Sequence, residues 1–195
     1  MLNKIILASK SDVRKKILKE NKIDCLIEPS NVDEDSVKVS LLKEKATPAT
    51  VSKNLAELKA NKVSQKFMND LVLGADSVID FEGDIISKPE NRTEALKILK
   101  RLNGKTHRLI SSVCISRGGS MMWNYTDKAS LTMKQMSDED LKAYLEKISD
   151  EALYAYNVYQ IEGEGRSLFS KIDGDEDTIM GLPVKRIKKY LNNYK

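Results

Sequence analysis

Residues 71–89, LVLGADSVIDFEGDIISKP, decide how the rest of the chain is read. Leu71-Val72-Leu73 is an apolar run of the kind a buried strand shows. Gly74 and Ala75 lead that run to an acid, Asp76, and leave beside it the space a bulky polyphosphate needs for close approach. Ser77 adds a hydroxyl, Val78 and Ile79 return to the core, and Glu82-Gly83-Asp84 makes a turn. The return strand then delivers Lys88 beside Pro89, whose ring stiffens the exit. A carboxylate at the end of a buried strand is costly unless a positive group meets it, and Lys88 is the cation expected there. The alternative is a plain surface aspartate in a turn, and spacing alone leaves both readings open.

The 195 residues suffice for one core, either a single domain or two intimately packed lobes. No repeat and no linker divides the chain, so residues 1–195 read as one domain. With 41% hydrophobic and 32% charged residues it is an ordinary globular sequence rather than a disordered one. No run approaches the roughly 18 apolar residues of a membrane span, and MLNKIILASKSD is too short and polar for a signal peptide, so a cytoplasmic protein without a membrane partner is expected. Cys25 and Cys114 lie in strand-like apolar runs, which suits buried thiols in a reducing compartment. No Cys/His group has zinc spacing, and His107 is the only histidine, which excludes His-based triads unless His107 is itself the base. The net charge of +4 is spread over lysines interleaved with acids, without a single-sign block or an aromatic stacking motif, so no nucleic-acid partner is expected.

Strands and helices alternate along the chain. Lys4–Ala8 reads as a short buried strand breaking at Ser9-Lys10-Ser11, and Ser11 as the N-cap of a helix from Asp12 to about Asn21, with Val13, Ile17 and Leu18 inward. Strand end, serine turn, helix N-terminus and Arg14 together make a natural anion site, although a routine turn with a solvated arginine has the same pattern. Cys25–Glu28 is a second strand, and the acidic segment Asn31–Asp35 reads either as a solvated loop or as a source of one metal-side carboxylate. Thr47-Pro48 opens a helix whose stripe is Val51, Leu55 and Leu58, with Lys59 at its edge and able to snorkel toward a cleft. Asn91 caps a helix ending at Asn103-Gly104. Arg108–Ser116 and Met121–Met133 form a hairpin across Arg117-Gly118-Gly119-Ser120, and Ser137 caps another helix. A Gly-rich loop Ile161–Gly165, a strand Leu168–Ile172, a turn Gly174–Asp177 and a last helix after Gly181-Leu182-Pro183 complete the chain.

Five of these segments, in this order, resemble the Maf (septum-formation-like) family of nucleoside triphosphate pyrophosphatases over nearly the whole chain. Leu7-Ala8-Ser9-Lys10-Ser11 with Arg14 is similar to the family's LASxSPRR, Leu58-Lys59-Ala60 to its helical lysine segment, and Gly74-Ala75-Asp76-Ser77-Val78 with Lys88-Pro89 to GADTVV…KP. Asn103–His107 resembles SGxTH, and Gly181-Leu182-Pro183 the closing GLP. Asp12 and Val13 depart from the family's Pro-Arg, Ser77 from its Thr, and Glu162 stands where members acting on dTTP and UTP carry Gln.

The resemblance implies an α/β fold, an extended mixed β-sheet flanked by helices in two lobes around a cleft. It further implies hydrolysis of a nucleoside triphosphate to monophosphate and pyrophosphate, a house-cleaning role against non-standard nucleotides, a divalent Mg²⁺ or Mn²⁺ cofactor, a homodimer and a cytoplasmic location. Carried onto this chain, Asp76 is the general base or a metal-side acid, and Glu34 the second metal-side carboxylate. Ser9, Arg14, Lys59 and Lys88 neutralise the phosphates, while Val13, Ser77 and Glu162 bear on base specificity. That set answers what attack at an α-phosphorus requires: an activated water, charge neutralisation and a bridging metal. His107, at the start of a strand, reads as structural. Two rivals differ in class: a non-catalytic nucleotide-binding regulator of septum formation, which would not need Asp76, Lys59 and Lys88 together, and a basic nucleic-acid-binding protein.

Overall fold

The computed structural model describes residues 5–155 and 158–194; Lys4, at the head of the expected first strand, lies outside them. The chain opens with β1 (Ile5–Leu7), α1 (Asp12–Glu20) and β2 (Cys25–Ile27), the two strands pairing in parallel with Ile5 opposite Cys25. Ser11 starts α1 as expected, its hydroxyl accepting the Arg14 N–H at 3.3 Å. Helices α2 (Glu34–Lys43) and α3 (Pro48–Ser64) lead to β3 (Val72–Phe81), parallel to β1 with Ile6 opposite Val72. β4 (Asp84–Ile86) turns back antiparallel across Glu82 and Gly83, whose φ values of +56° and +93° give the two-residue turn that matches strand twist. Next come α4 (Arg92–Leu102), β5 (Thr106–Arg117), β6 (Ser120–Met133), α5 (Asp138–Lys147) and α6 (Asp150–Ala155). A 3₁₀ turn (Glu164–Leu168), β7 (Phe169–Asp173), α7 (Glu176–Ile179) and α8 (Val184–Asn193) close the described chain. The strands form one seven-stranded mixed sheet in the order β2-β1-β3-β5-β6-β7, with β4 on β3, so the expected mixed sheet flanked by helices is present.

The chain divides into two compact units: Met1–Ser77 with Ile110–Lys128 and Asp175–Lys195, and Val78–Leu109 with Ala129–Gly174. In the first unit the period-two alternation of the strands sorts side chains onto two faces. Ile5 and Leu7 of β1, Leu73 and Ala75 of β3, and Val113 and Ile115 of β5 share a core with Ile17 and Leu18 of α1 and Ile187 and Leu191 of α8. The residues between them face the other way: Ile6, Ala8 and Val72 pack with Val63 of α3, and Cys114 with Ala56 and Ala60 of the same helix. In the second unit α4 packs on α5, and Arg92 donates to the carbonyls of Leu145 and Ile148 at the C-terminal end of α5. Such bonds satisfy carbonyls that a helix end leaves without partners.

Several local expectations change. Leu58 is 41% exposed rather than inward, because the buried rows of α3 run Val51-Leu55-Lys59-Val63 and Ser52-Ala56-Ala60-Ser64, four residues apart. The acidic segment is a helix start, not a loop: Asp33 accepts the Ser36 N–H at 3.1 Å and caps α2, none of whose residues is buried. Asp175 likewise caps α7 where a turn was expected, and Leu168 ends the 3₁₀ turn rather than starting β7. Cys114 is buried, its thiol pushed up to about 11 by desolvation, whereas Cys25 on β2 is only half-buried.

Candidate active site

The same alternation that builds the core places Asp76. Val72, Gly74 and Asp76 are on the α3 face of β3, and Gly74 is the point of closest approach. A Cβ there would sit 2.2 Å from the Ala56 carbonyl oxygen and 2.7 Å from the Ala60 nitrogen. The room beside Asp76 that the sequence assigns to a polyphosphate is therefore taken by α3. Its small residues Ala56 and Ala60 let the helix settle on the strand, which sets the next buried rung, Lys59, against the acid.

Lys59 and Asp76 are 5% and 4% exposed, and the Lys59 ammonium donates to Asp76 Oδ1 at 2.9 Å. A second carboxylate oxygen, Glu34 Oε2 from the first turn of α2, lies 2.9 Å from the same nitrogen. Lys59 thus bridges two carboxylates, so a cation from α3 meets Asp76. Lys88 is exposed in the loop after β4, in the second unit. Ser52, two turns ahead of Lys59 on the same helix face, donates to the Asp76 backbone carbonyl at 3.1 Å.

Burial pushes the Asp76 carboxyl above its ordinary range; the Lys59 charge and hydrogen bond and the Arg14 charge oppose that shift without cancelling it, and Glu34 adds to it. Glu34 is less enclosed. Burial raises it too, but Lys59, Lys38 and Arg14 outweigh burial and hold it below the usual carboxylate range. Asp76 Oδ2 is buried and has no hydrogen-bond partner among the described residues, an arrangement that costs free energy in a purely structural aspartate.

Arg14 stands on the opposite side of β3. Its Nε donates to the Gly181 carbonyl (3.0 Å), its Nη1 to Ser9 Oγ (3.3 Å) and the Ala75 carbonyl (3.0 Å), and its Nη2 to Ser77 Oγ (3.2 Å). Burial lowers its pKa, while the charges of Asp76 and Glu34 raise it. Ser9 Oγ also accepts the Ser11 N–H at 3.2 Å, so with Arg14 both its lone pairs are occupied and its own proton remains to be donated.

The first unit therefore brings together Ser9, Arg14, Glu34, Lys59, Asp76 and Ser77. Val13 packs half-buried against the core of that unit. In the second unit Glu162 is exposed in the turn before the 3₁₀ segment. His107 is buried there, its Nε2 2.7 Å from the Tyr159 hydroxyl, and burial lowers its pKa to about 4, so it is neutral at neutral pH and suited to packing. Sequence reasoning passes over Ser52 and Ser111; Ser52 could have been found from its place on the Lys59 face of α3.

Asp76 and Glu34 suit a divalent cation as a partial donor set. Mg²⁺ is commonly held by one or two protein carboxylates together with substrate oxygens, and the bare Oδ2 of Asp76 is a hard ligand of that kind. Among the described residues no group of three or more His, Cys, Asp or Glu side chains assembles to hold a metal by itself. Among the described residues no helix is long and apolar enough to cross a membrane.

Residues 4–194 match the family described as Maf-like protein. The chain is 78% identical over 191 residues to a nucleoside triphosphate pyrophosphatase of Pelagibacter ubique, covering 98% of each chain. It is 41% identical to a 7-methyl-GTP pyrophosphatase of Bartonella quintana, covering 94% of this chain and 92% of that one. Among solved structures, a nucleoside-triphosphatase/dITP/XTP pyrophosphatase of Mycobacterium abscessus aligns over 97% of this chain and 93% of its own, at 10% identity and a TM-score of 0.46, a likeness that carries no argument by itself. The family match along almost the entire length, together with the high identity of the Pelagibacter relative, shows that this chain belongs to the Maf family.

Proposed function

We infer that the chain hydrolyses nucleoside triphosphates to nucleoside monophosphate and pyrophosphate, with Asp76 as its central acid. The observation that carries this reading is the buried, unpartnered Asp76 Oδ2 beside Lys59 and Glu34. Water attacks the α-phosphorus, the bond from that phosphorus to the bridging oxygen breaks, and pyrophosphate leaves. Asp76 Oδ2 takes the proton of the attacking water, and its raised pKa suits it to hold that proton. Lys59 steadies the other oxygen of the same carboxylate and carries positive charge into the site. Glu34 would hold the divalent metal, which when bound neutralises phosphate charge and acidifies water, while Asp76 keeps Oδ2 for the proton. Ser9, with its proton left over, is a phosphate donor.

The base is read by Glu162. A carboxylate only accepts hydrogen bonds, whereas a Gln amide both donates and accepts. Guanine offers two adjacent donors, N1–H and the 2-amino group, which a carboxylate can take together; thymine and uracil flank one N3–H with two carbonyl oxygens. The existence of relatives named 7-methyl-GTP pyrophosphatase supports a guanine-type base, and the cationic methylated form suits an acid further. Val13 brings no aromatic ring for stacking on it.

The test is a panel of triphosphates with Mg²⁺ or Mn²⁺. GTP or 7-methyl-GTP is expected to show a kcat/KM at least about tenfold above dTTP and UTP, within the range a mismatched polar pair commands. Glu162→Gln is expected to narrow or reverse that gap. A wild-type preference for dTTP or UTP, or a ranking indifferent to the substitution, would remove Glu162 from base recognition.

A further inference from the structure

Behind Asp76, on the α1 face of β3, the hydrogen bonds of Arg14 continue into a chain whose direction can be worked out proton by proton. The Ser111 hydroxyl on β5 is 2.7 Å from the Thr178 carbonyl oxygen, which can only accept, so Ser111 donates there. Its contact with Ser77 Oγ, at 2.9 Å, must then run the other way, with Ser77 donating and Ser111 accepting. The Ser77 proton is thereby committed, and Ser77 can only accept from Arg14 Nη2, as the 3.2 Å contact requires. The order is Arg14 to Ser77 to Ser111 to Thr178. Gly181 closes it into a ring: its N–H donates to the Thr178 carbonyl at 3.0 Å and its own carbonyl accepts Arg14 Nε. A side chain would not be tolerated at Gly181, where φ is +92° and a Cβ would lie 2.9 Å from Ser77 Oγ. Thr178 is itself fixed by a 2.8 Å bond from its hydroxyl to Asp127 Oδ2. Both Ser111 and Thr178 are fully buried.

Two consequences follow for groups assigned to substrate. Four of the five guanidinium N–H groups of Arg14 are spent inside the protein, two of them on the carbonyl before Asp76 and the hydroxyl after it. Ser77 has no proton left to offer a base or a phosphate. We propose that Ser111 is a positioning residue for the reaction: acting through Ser77, it locks Arg14 onto the carbonyl before Asp76 and the hydroxyl after it, and so fixes where the Asp76 carboxylate points. Arg14 in this arrangement is a brace rather than a phosphate ligand. The proposal rests on the reading of Asp76 given above.

Constellations of reacting groups are sensitive to displacements of about half an ångström, so loss of the brace is felt in turnover rather than in substrate binding. The test compares Ser111→Ala, Ser77→Ala and the double variant in the full-length protein, with Asp76→Asn in parallel, reading kcat, KM for one triphosphate and the melting temperature. Each single variant is expected to lose about tenfold in kcat with KM within about twofold, and the double variant to lose no more than the worse single, since both break one chain. Ser77→Thr, which keeps the hydroxyl, is expected to recover most of what Ser77→Ala loses. If Ser111→Ala does not fold, the Ser77→Ala and Ser77→Thr pair carries the test alone. Additive losses, a rise in KM in place of a fall in kcat, or lowered melting with kcat intact would each overturn the proposal. An active Asp76→Asn would overturn the reading beneath it as well; an inactive Asp76→Asn beside indifferent serine variants overturns the brace alone.

Discussion

Asp76→Asn is expected to lower kcat by about 10²–10⁴, the usual contribution of a positioned acid–base group. The substitution keeps the volume and leaves an oxygen able to accept from Lys59, but removes the charge and the atom that would take the proton of water. Stability should not fall with activity. Burial dominates the environment of Asp76 and raises its pKa, so the folded state opposes its ionisation, and that cost is present at every pH above the ordinary carboxylate range. A neutral amide relieves it, while Lys59 keeps Glu34 as a partner. Circular-dichroism melting alongside steady-state kinetics separates the two effects. Near-normal turnover would show that the buried carboxylate is not where the chemistry takes place.

The second large effect is structural and then functional. Gly74→Ala adds one methyl where α3 meets β3, and the atoms it would strike, the Ala56 carbonyl oxygen and the Ala60 nitrogen, belong to helix backbone and cannot rotate away. The helix must shift from the strand. Overpacking of this kind costs about 3 kcal/mol, which for a chain of this size lowers the melting temperature by roughly 10 °C. Because Lys59 rides on the same helix, the 2.9 Å contact with Asp76 is lost with the packing, and kcat of the protein that remains folded should fall as well. A Gly74→Ala protein that melts within about 2 °C of wild type would contradict the account of how Lys59 reaches Asp76.

Much of this arrangement is legible in the residues themselves. The alternation of apolar and small residues in LVLGAD points to a buried strand ending on an acid, and the serine caps of α1 and α5 and the glycine turn of the β5–β6 hairpin follow from local chemistry. What is hidden is which cation meets the acid. In sequence Lys88 is near Asp76 and Lys59 is not, yet proximity in sequence says little about two residues on a strand and a crossover helix. The deciding feature is one missing methyl group, at Gly74, which reads equally as room for a ligand or as room for a helix. Phasing of α3 is obscured for a related reason. Leu58 looks like a core residue and Lys59 like its edge, but the small rung of Ala56 and Ala60 pulls the helix round until the lysine is at the centre. The capping of α2 by Asp33 escapes the loop reading of Asn31–Asp35, although an aspartate followed by two further acids is a common helix start. The ring through Ser111 is not, since its members come from separate segments and each bond is ordinary by itself.

The central claim is that water attacks the α-phosphorus in a site governed by Asp76. Single-turnover hydrolysis of GTP or 7-methyl-GTP in ¹⁸O-enriched water, with Mg²⁺ and mass analysis of both products, tests it most directly. Pyrophosphate free of label and one ¹⁸O in the nucleoside monophosphate are expected, with the reaction lost in Asp76→Asn. Orthophosphate with nucleoside diphosphate, label in the pyrophosphate, or no hydrolysis of any triphosphate would contradict it.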